Sequence, residues 1–284
     1  MTNQEISYLI YNDKIFNASK KQLMEYYHRE NDTLPSSFYN DLLKIKEKSI
    51  LSNNQSVAKA TWCLETIGHI QDCFISAFIF MRDDYFYKGW CQLIECDTLI
   101  RNLDKHFSDK TEHFGIEHIR FQVNQFQKIF PYTLFISLAF KTNSILCSIC
   151  NQKITPRNYC GHEVGEIYNG DLCFRYYKEI EPNHILICYT PKHKYAVLFT
   201  ETSSYNYAAV KCVIDHVRSP WNSWDCEKSA IGNNISHYQI NFHFEKNHSD
   251  KLLHNQMSEY TVSTDPKEVT FLYLYQISSK CYMT

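Results

Sequence analysis

The stretch CSICNQKITPRNYCGHEVGEIYNGDLC, residues 147–173, is where the chain changes its periodicity, and its spacing demands a chemical explanation. Cys147 and Cys150 are separated by two residues, so both sulfurs can point at one ion from a tight knuckle. Cys160 and His162 arrive about ten residues later and can complete a tetrahedron. Five candidate ligands, Cys147, Cys150, Cys160, His162 and Cys173, therefore compete for four positions around Zn²⁺. The expected set is Cys147, Cys150, Cys160 and His162, because the short connection closes cheaply; Cys173 is the reserve ligand. A filled Cys3His shell marks a structural ion, since a catalytic zinc keeps one position open for water. Only seven glycines occur in 284 residues, and Gly161, Gly165 and Gly170 cluster here, where tight turns need positive φ.

The pattern C-x2-C followed by C-x-H-x2-G-x2-Y-x-G-x2-C resembles a zinc-binding segment that recurs in uncharacterised bacterial and phage-associated proteins, where a β-rich stretch often follows. The resemblance covers roughly residues 147–173. It implies metal binding and a bacterial or phage origin, and it supplies no activity.

Outward from this segment, residues 1–140 read as a helical domain, 141–180 as the zinc module and 181–284 as a β-rich domain, an α+β architecture. In the first part, Ser19 is expected to cap a helix through Arg29, and Pro35-Ser36-Ser37 to open another that runs to about Leu51. Residues 55–81 carry Val57, Ala60, Leu64, Ile67, Phe74, Phe78 and Met81 at three- and four-residue steps; residues 84–107 carry Phe86, Trp90, Leu93, Cys96, Ile100, Leu103 and Phe107. Asp83-Asp84 lies between them, which predicts an antiparallel helical hairpin. A third long helix over 116–130 stops before Pro131. Cys63, Cys73, Cys91, Cys96 and Cys212 fall on apolar faces and read as core.

Beyond the module the period becomes that of strands. His184–Thr190 and Lys194–Glu201 predict a hairpin through Pro191-Lys-His. Residues 208–217 fit a strand or the start of a helix, 237–244 alternate cleanly, and 269–277 supply a last strand. The loop 218–234, with Pro220 and two tryptophans, is long enough to act as a binding surface.

Composition narrows the function. A net charge of −2 and 44% hydrophobic residues argue against both disorder and a surface coated for non-specific nucleic-acid binding. The first residues, MTNQEISYLIYNDKIF, show no leader pattern, and the longest apolar run, Phe74–Met81, is too short to cross a bilayer. A reducing cytoplasm is the expected compartment, with cysteines used as thiolates. Arg101-Asn-Leu-Asp-Lys-His106 resembles the R-N-x3-H motif of HEPN ribonucleases, in which the arginine and histidine act on RNA without metal. The same form recurs at Arg157–His162, so a solvated helix face is the simpler account of Arg101. His237, His243, His248 and His254 invite a metal-hydrolase reading, yet His237 and His243 stand about 20 Å apart along a strand and cannot share one ion. No Gly-rich phosphate loop, G-x-S-x-G elbow or H-E-x-x-H helix is present. The leading expectation is a zinc-stabilised binding or adaptor protein of a bacterial or phage system, with anti-phage defence as a candidate setting, whose partner is protein or nucleic acid, with Lys153, Arg157 and Arg175 as a modest basic surface. The alternative is a HEPN-like ribonuclease effector resting on Arg101, Asn102 and His106.

Overall fold

The computed structural model describes residues 2–108, 112–199, 205–217 and 219–222; the strands expected at 237–244 and 269–277, and the C-terminal histidines, lie outside the described residues. The chain opens with α1 (Asn3–Asn12), held at its start by a capping box in which Glu5 N donates to Thr2 Oγ1 at 3.3 Å and Thr2 N to Glu5 Oε2 at 2.8 Å. A 3₁₀ turn over Lys14–Phe16, capped by Asp13, runs directly into α2 (Asn17–Met24). Ser19 is therefore interior and buried, not a cap as expected, because the preceding turn leaves no free helix end at that residue.

α3 (Ser36–Leu51) starts after Pro35 and ends at the expected residue. α4 (Gln55–Arg82), capped by the Asn54 side chain, is the central element, and α1, α3, α6 and α7 as well as α5 pack against it; its buried residues include Ala60, Leu64, Ile67, Phe74, Phe78 and Met81. α5 (Phe86–Leu103) buries Phe86, Trp90, Leu93, Cys96, Ile100 and Leu103. The reversal between α4 and α5 uses Asp84 at φ 62°. The two helices run antiparallel: a Cβ on Gly89 would come 2.7 Å from Met81 Cγ, while further along Cys96 Sγ lies 3.5 Å from the Ile70 carbonyl. The helical hairpin read from the apolar stripes is thus the centre of the described helices.

α6 (Ile116–Ile129) ends before Pro131, and α7 (Ala208–His216) resolves the ambiguity over 208–217 in favour of helix. α7 turns Val210 and Ile214 inward, which leaves Cys212 on the outer side; it is exposed, not a core residue as expected. Cys63 and Cys96 are buried, and Cys73 and Cys91 half-buried. Trp221 is an anchor for the bundle: its Nε1 donates to the Arg29 carbonyl at 2.8 Å and its ring lies 4.6 Å from Tyr26.

β1 (Phe135–Cys147) pairs antiparallel with β4 (Arg175–Cys188), from Phe135 opposite Cys188 to Cys147 opposite Arg175, with a bulge at Ala139/Phe140. Between them lies the short hairpin of β2 (Ile167–Tyr168) and β3 (Asp171–Leu172). The expected hairpin between His184–Thr190 and Lys194–Glu201 does not form. Instead β1 sits between the two segments, with Cys188 opposite Phe135 on one edge and Val197 bridged to Phe135 on the other; Leu198 N donates to Leu134 O at 2.9 Å. β1 offers thirteen residues of backbone to pair with, far more than a tight turn around Pro191 would. The fold is α+β: α1 to α6 come first, the antiparallel ribbon follows, and α7 comes after it.

Candidate metal centre

Cys147 ends β1, and the chain reverses at once. Asn151 N donates to Cys147 O at 2.9 Å and Cys147 N to Gln152 O at 3.1 Å, with Asn151 at φ 55°. This knuckle brings Cys150 round beside Cys147, and Ile154 N bonding to Ile145 O at 2.7 Å lays the returning chain along β1. A second turn between Thr155 and Asn158 delivers Cys160-Gly161-His162, where Gly161 takes φ 79°. The His162 ring packs edge-on against Tyr168 at 4.6 Å, and its carbonyl accepts from Tyr159 Oη at 3.1 Å and Arg175 Nη2 at 2.5 Å.

These turns bring Cys147, Cys150, Cys160 and His162 together, with one donor atom of each within 4.8 Å of all the others. Cys147 Sγ is 3.8 Å from His162 Nδ1, about the edge of a tetrahedron whose centre lies about 2.3 Å from each sulfur. Three thiols and an imidazole form a soft donor set able to hold a metal ion, with every position taken by protein. No other such group occurs among the described residues. Burial resists ionisation of the Cys147 thiol, but the backbone N–H groups of Cys150 and Ile149, with the thiols of Cys160 and Cys150, hold it down to about 6. The thiolate is the form that binds metal.

Cys173 stands beside the four and not among them. Its Sγ is 3.9 Å from Cys147 Sγ, it is 1% exposed, and it accepts from Arg175 Nη1 at 3.4 Å. Arg175, expected to form basic surface with Lys153 and Arg157, is instead turned onto this site, its guanidinium 5.5 Å from the Tyr159 ring centre. Lys153 and Arg157 are exposed.

The module is seated on the helices through its hairpin. Asn169-Gly170 forms the two-residue turn between β2 and β3 with φ of 53° and 74°, the left-handed pair that this hairpin turn requires. Gln55, at the start of α4, grips the turn twice: Nε2 donates to Asn169 Oδ1 at 2.6 Å, and Asn169 N donates to Oε1 at 3.0 Å. Gly170 is needed for a second reason, since a Cβ there would come 2.8 Å from Lys46 Cδ and 3.1 Å from the Ala58 carbonyl. Lys46 Nζ pairs with Glu65 at 3.1 Å and Asp171 at 3.4 Å. The Asn-Gly dipeptide was a readable signal for the hairpin; nothing in the sequence marked Gln55 or Lys46 as its partners.

Arg101 and His106 part company. Arg101 has a 65% exposed side chain held by Asp97 at 3.0 Å. His106 is 1% exposed, lies edge-on to Trp62, and its Nε2 is 2.7 Å from the Gly165 carbonyl. A carbonyl only accepts, so Nε2 carries the proton and the ring is a link between the end of α5 and the module. Comparison of the chain with family models, with curated proteins and with solved structures finds no match in any of the three.

Proposed function

We propose that the chain is a zinc-stabilised binding or adaptor protein, in which the ion is structural and holds the 147–173 segment in shape against the helices. The observation that carries this reading is the set of four donor atoms within 4.8 Å, three sulfurs and one imidazole nitrogen, with no position left for a reacting water. Thiolate-rich tetrahedral sites select zinc over harder ions such as magnesium or calcium. Ile185, Leu186 and Ile187, all exposed near the end of β4, supply apolar surface of the kind a protein partner covers. A ribonuclease centred on Arg101 and His106 has less support, because a histidine enclosed by Trp62 and Gly165 does not meet a substrate.

Elemental analysis of the purified protein tests the reading. It expects about one zinc per chain, retained in Cys63→Ser, lost in Cys150→Ser, and a fall in unfolding temperature when a chelator removes the ion. A metal-free wild type whose unfolding is indifferent to chelator would sink it.

A further inference from the structure

Four cysteines gather in the module and only three belong to the donor set. The fourth, Cys173, is buried and partnered by a ligand: its sulfur lies 3.9 Å from that of Cys147. A disulfide closes that separation to about 2.0 Å, a shift two side-chain rotations can share provided the backbones already lie side by side. They do, through hydrogen bonds that use none of the four donor atoms. Ser148 N donates to Phe174 O at 3.0 Å and Phe174 N to Ser148 Oγ at 2.9 Å, lacing together the residues that follow each cysteine; Cys173 N is tied to Glu166 O at 2.7 Å and Cys147 N to Gln152 O at 3.1 Å. In contrast, Cys150 lies on the exposed side of the cluster, where a small oxidant reaches it.

We infer that the module is an oxidation-sensitive metal switch, in which a hydroperoxide converts Cys147 and Cys173 into a disulfide and the ion is expelled; the inference rests on the metal reading above. The exposed Cys150 sulfur attacks the peroxide O–O bond, taking one oxygen as a sulfenic acid while the other leaves as water. The Cys147 sulfur then attacks Cys150, forming the Cys147–Cys150 disulfide and releasing the hydroxyl as a second water. Cys173 attacks the Cys147 sulfur in turn, its proton passing to the departing Cys150 thiolate. Counted from the metal-bound thiolates of Cys147 and Cys150, the Cys147 and Cys173 sulfurs together lose two electrons, two protons come from solvent, and hydrogen peroxide becomes two waters. Cys147 no longer offers a thiolate, so the donor set is broken and the ion leaves. The cross-link keeps the β1 end against the residue that follows β3, so oxidation frees the 150–162 loop and leaves the base of the module stapled.

The test treats the zinc-loaded full chain with hydrogen peroxide, follows the ion with a chromogenic chelator, and maps thiols by alkylation and disulfides by non-reducing peptide mass spectrometry. Metal measured before oxidation checks the metal reading by itself. The expected result is loss of the ion together with nearly complete loss of Cys173 alkylation, a Cys147–Cys173 linked peptide two hydrogens lighter than its parts, and recovery of bound metal on adding dithiothreitol and zinc. Cys173→Ser is expected to arrive metal-loaded and to stop at the Cys147–Cys150 disulfide. If Cys173 remains alkylatable after the ion has gone, or the linked peptides contain only Cys147, Cys150 and Cys160, the inference is overturned. A wild type that arrives without metal overturns the metal reading and the release, while the peptide map still decides the cysteine pair.

Discussion

The helical part and the metal module are held together by different physics. α4 alone buries Leu64, Ile67, Ile70, Phe74, Ile75 and Phe78, and Phe16, Phe38, Phe114 and Phe126 are fully enclosed around it. Between residues 148 and 174, by contrast, only Gly165, Gly170 and Cys173 are buried. A segment with so little apolar surface withdrawn from water gains little from the hydrophobic effect, about 25 cal/mol per Å². Its shape depends on turns, backbone hydrogen bonds and four donors meeting at one point. The contrast predicts that damage to one region leaves the other largely standing, an expectation that can be broken from either side.

The largest effect belongs to the ligands. Cys150→Ser is expected to abolish metal binding, forfeiting most of a binding free energy of about 10 kcal/mol, because in such a module binding free energy is folding free energy. Far-ultraviolet circular dichroism should keep nearly all of its helical signal while elemental analysis shows no metal. Loss of the helical signal as well would break the comparison, showing that the bundle leans on the ion.

From the other side, Phe78→Ala opens a cavity among fully buried rings, one of them Phe126 at 6.5 Å, and is expected to cost about 3–5 kcal/mol. Denaturant unfolding reads that loss. The variant should still carry its full complement of metal at low denaturant.

His106 sits at the seam and responds to pH. Burial holds its imidazole below the ordinary value, with Lys59 and Lys105 adding to the effect against Glu166 and the bond to Gly165. The folded protein therefore binds this proton less readily than the unfolded chain, so its contribution is whole above about pH 6.5 and is lost as pH falls through that value toward the lower folded one. His106→Gln, which keeps a donor for the Gly165 carbonyl, should lose less stability than wild type between pH 7.5 and 5.5 in paired denaturant titrations. Equal slopes for the two proteins would remove His106 as the titrating link.

The smallest effect sharpens the division within the module. Gly161 and Gly170 both take positive φ, but a Cβ at Gly161 meets nothing within 4 Å whereas one at Gly170 meets Lys46 and Ala58. Gly170→Ala is expected to cost about 2 kcal/mol or more and Gly161→Ala about 1 kcal/mol, the backbone strain alone. Thermal unfolding of the two variants side by side measures the difference, which is the worth of the contact between hairpin and helices.

What the amino-acid sequence determined by itself was local. The three- and four-residue recurrence through 55–81 and 84–107 specified two helices and the faces they bury, and Asp83-Asp84 marked the reversal, because a helix face is set by residues a turn apart. The spacing of Cys147, Cys150, Cys160 and His162 likewise picked out four residues that the fold brings together, since a knuckle needs only a few consecutive residues to form. Tertiary structure decided everything that joins distant segments. The period of two in 184–190 and 194–201 identifies extended chain but not its partner, so only the fold shows β1 running between them. Cys173 stood in reserve as a further sulfur within reach, and the fold, with Ser148 laced to Phe174, set it beside Cys147 and outside the group of four. Arg101 and His106 shared a motif in one dimension and diverged in three, because five residues along the end of a helix carry one side chain to water and the other into the seam against Gly165. Spacing along a chain fixes which atoms are near when the path between them is short; for long paths, the outcome is set by which surfaces bury one another.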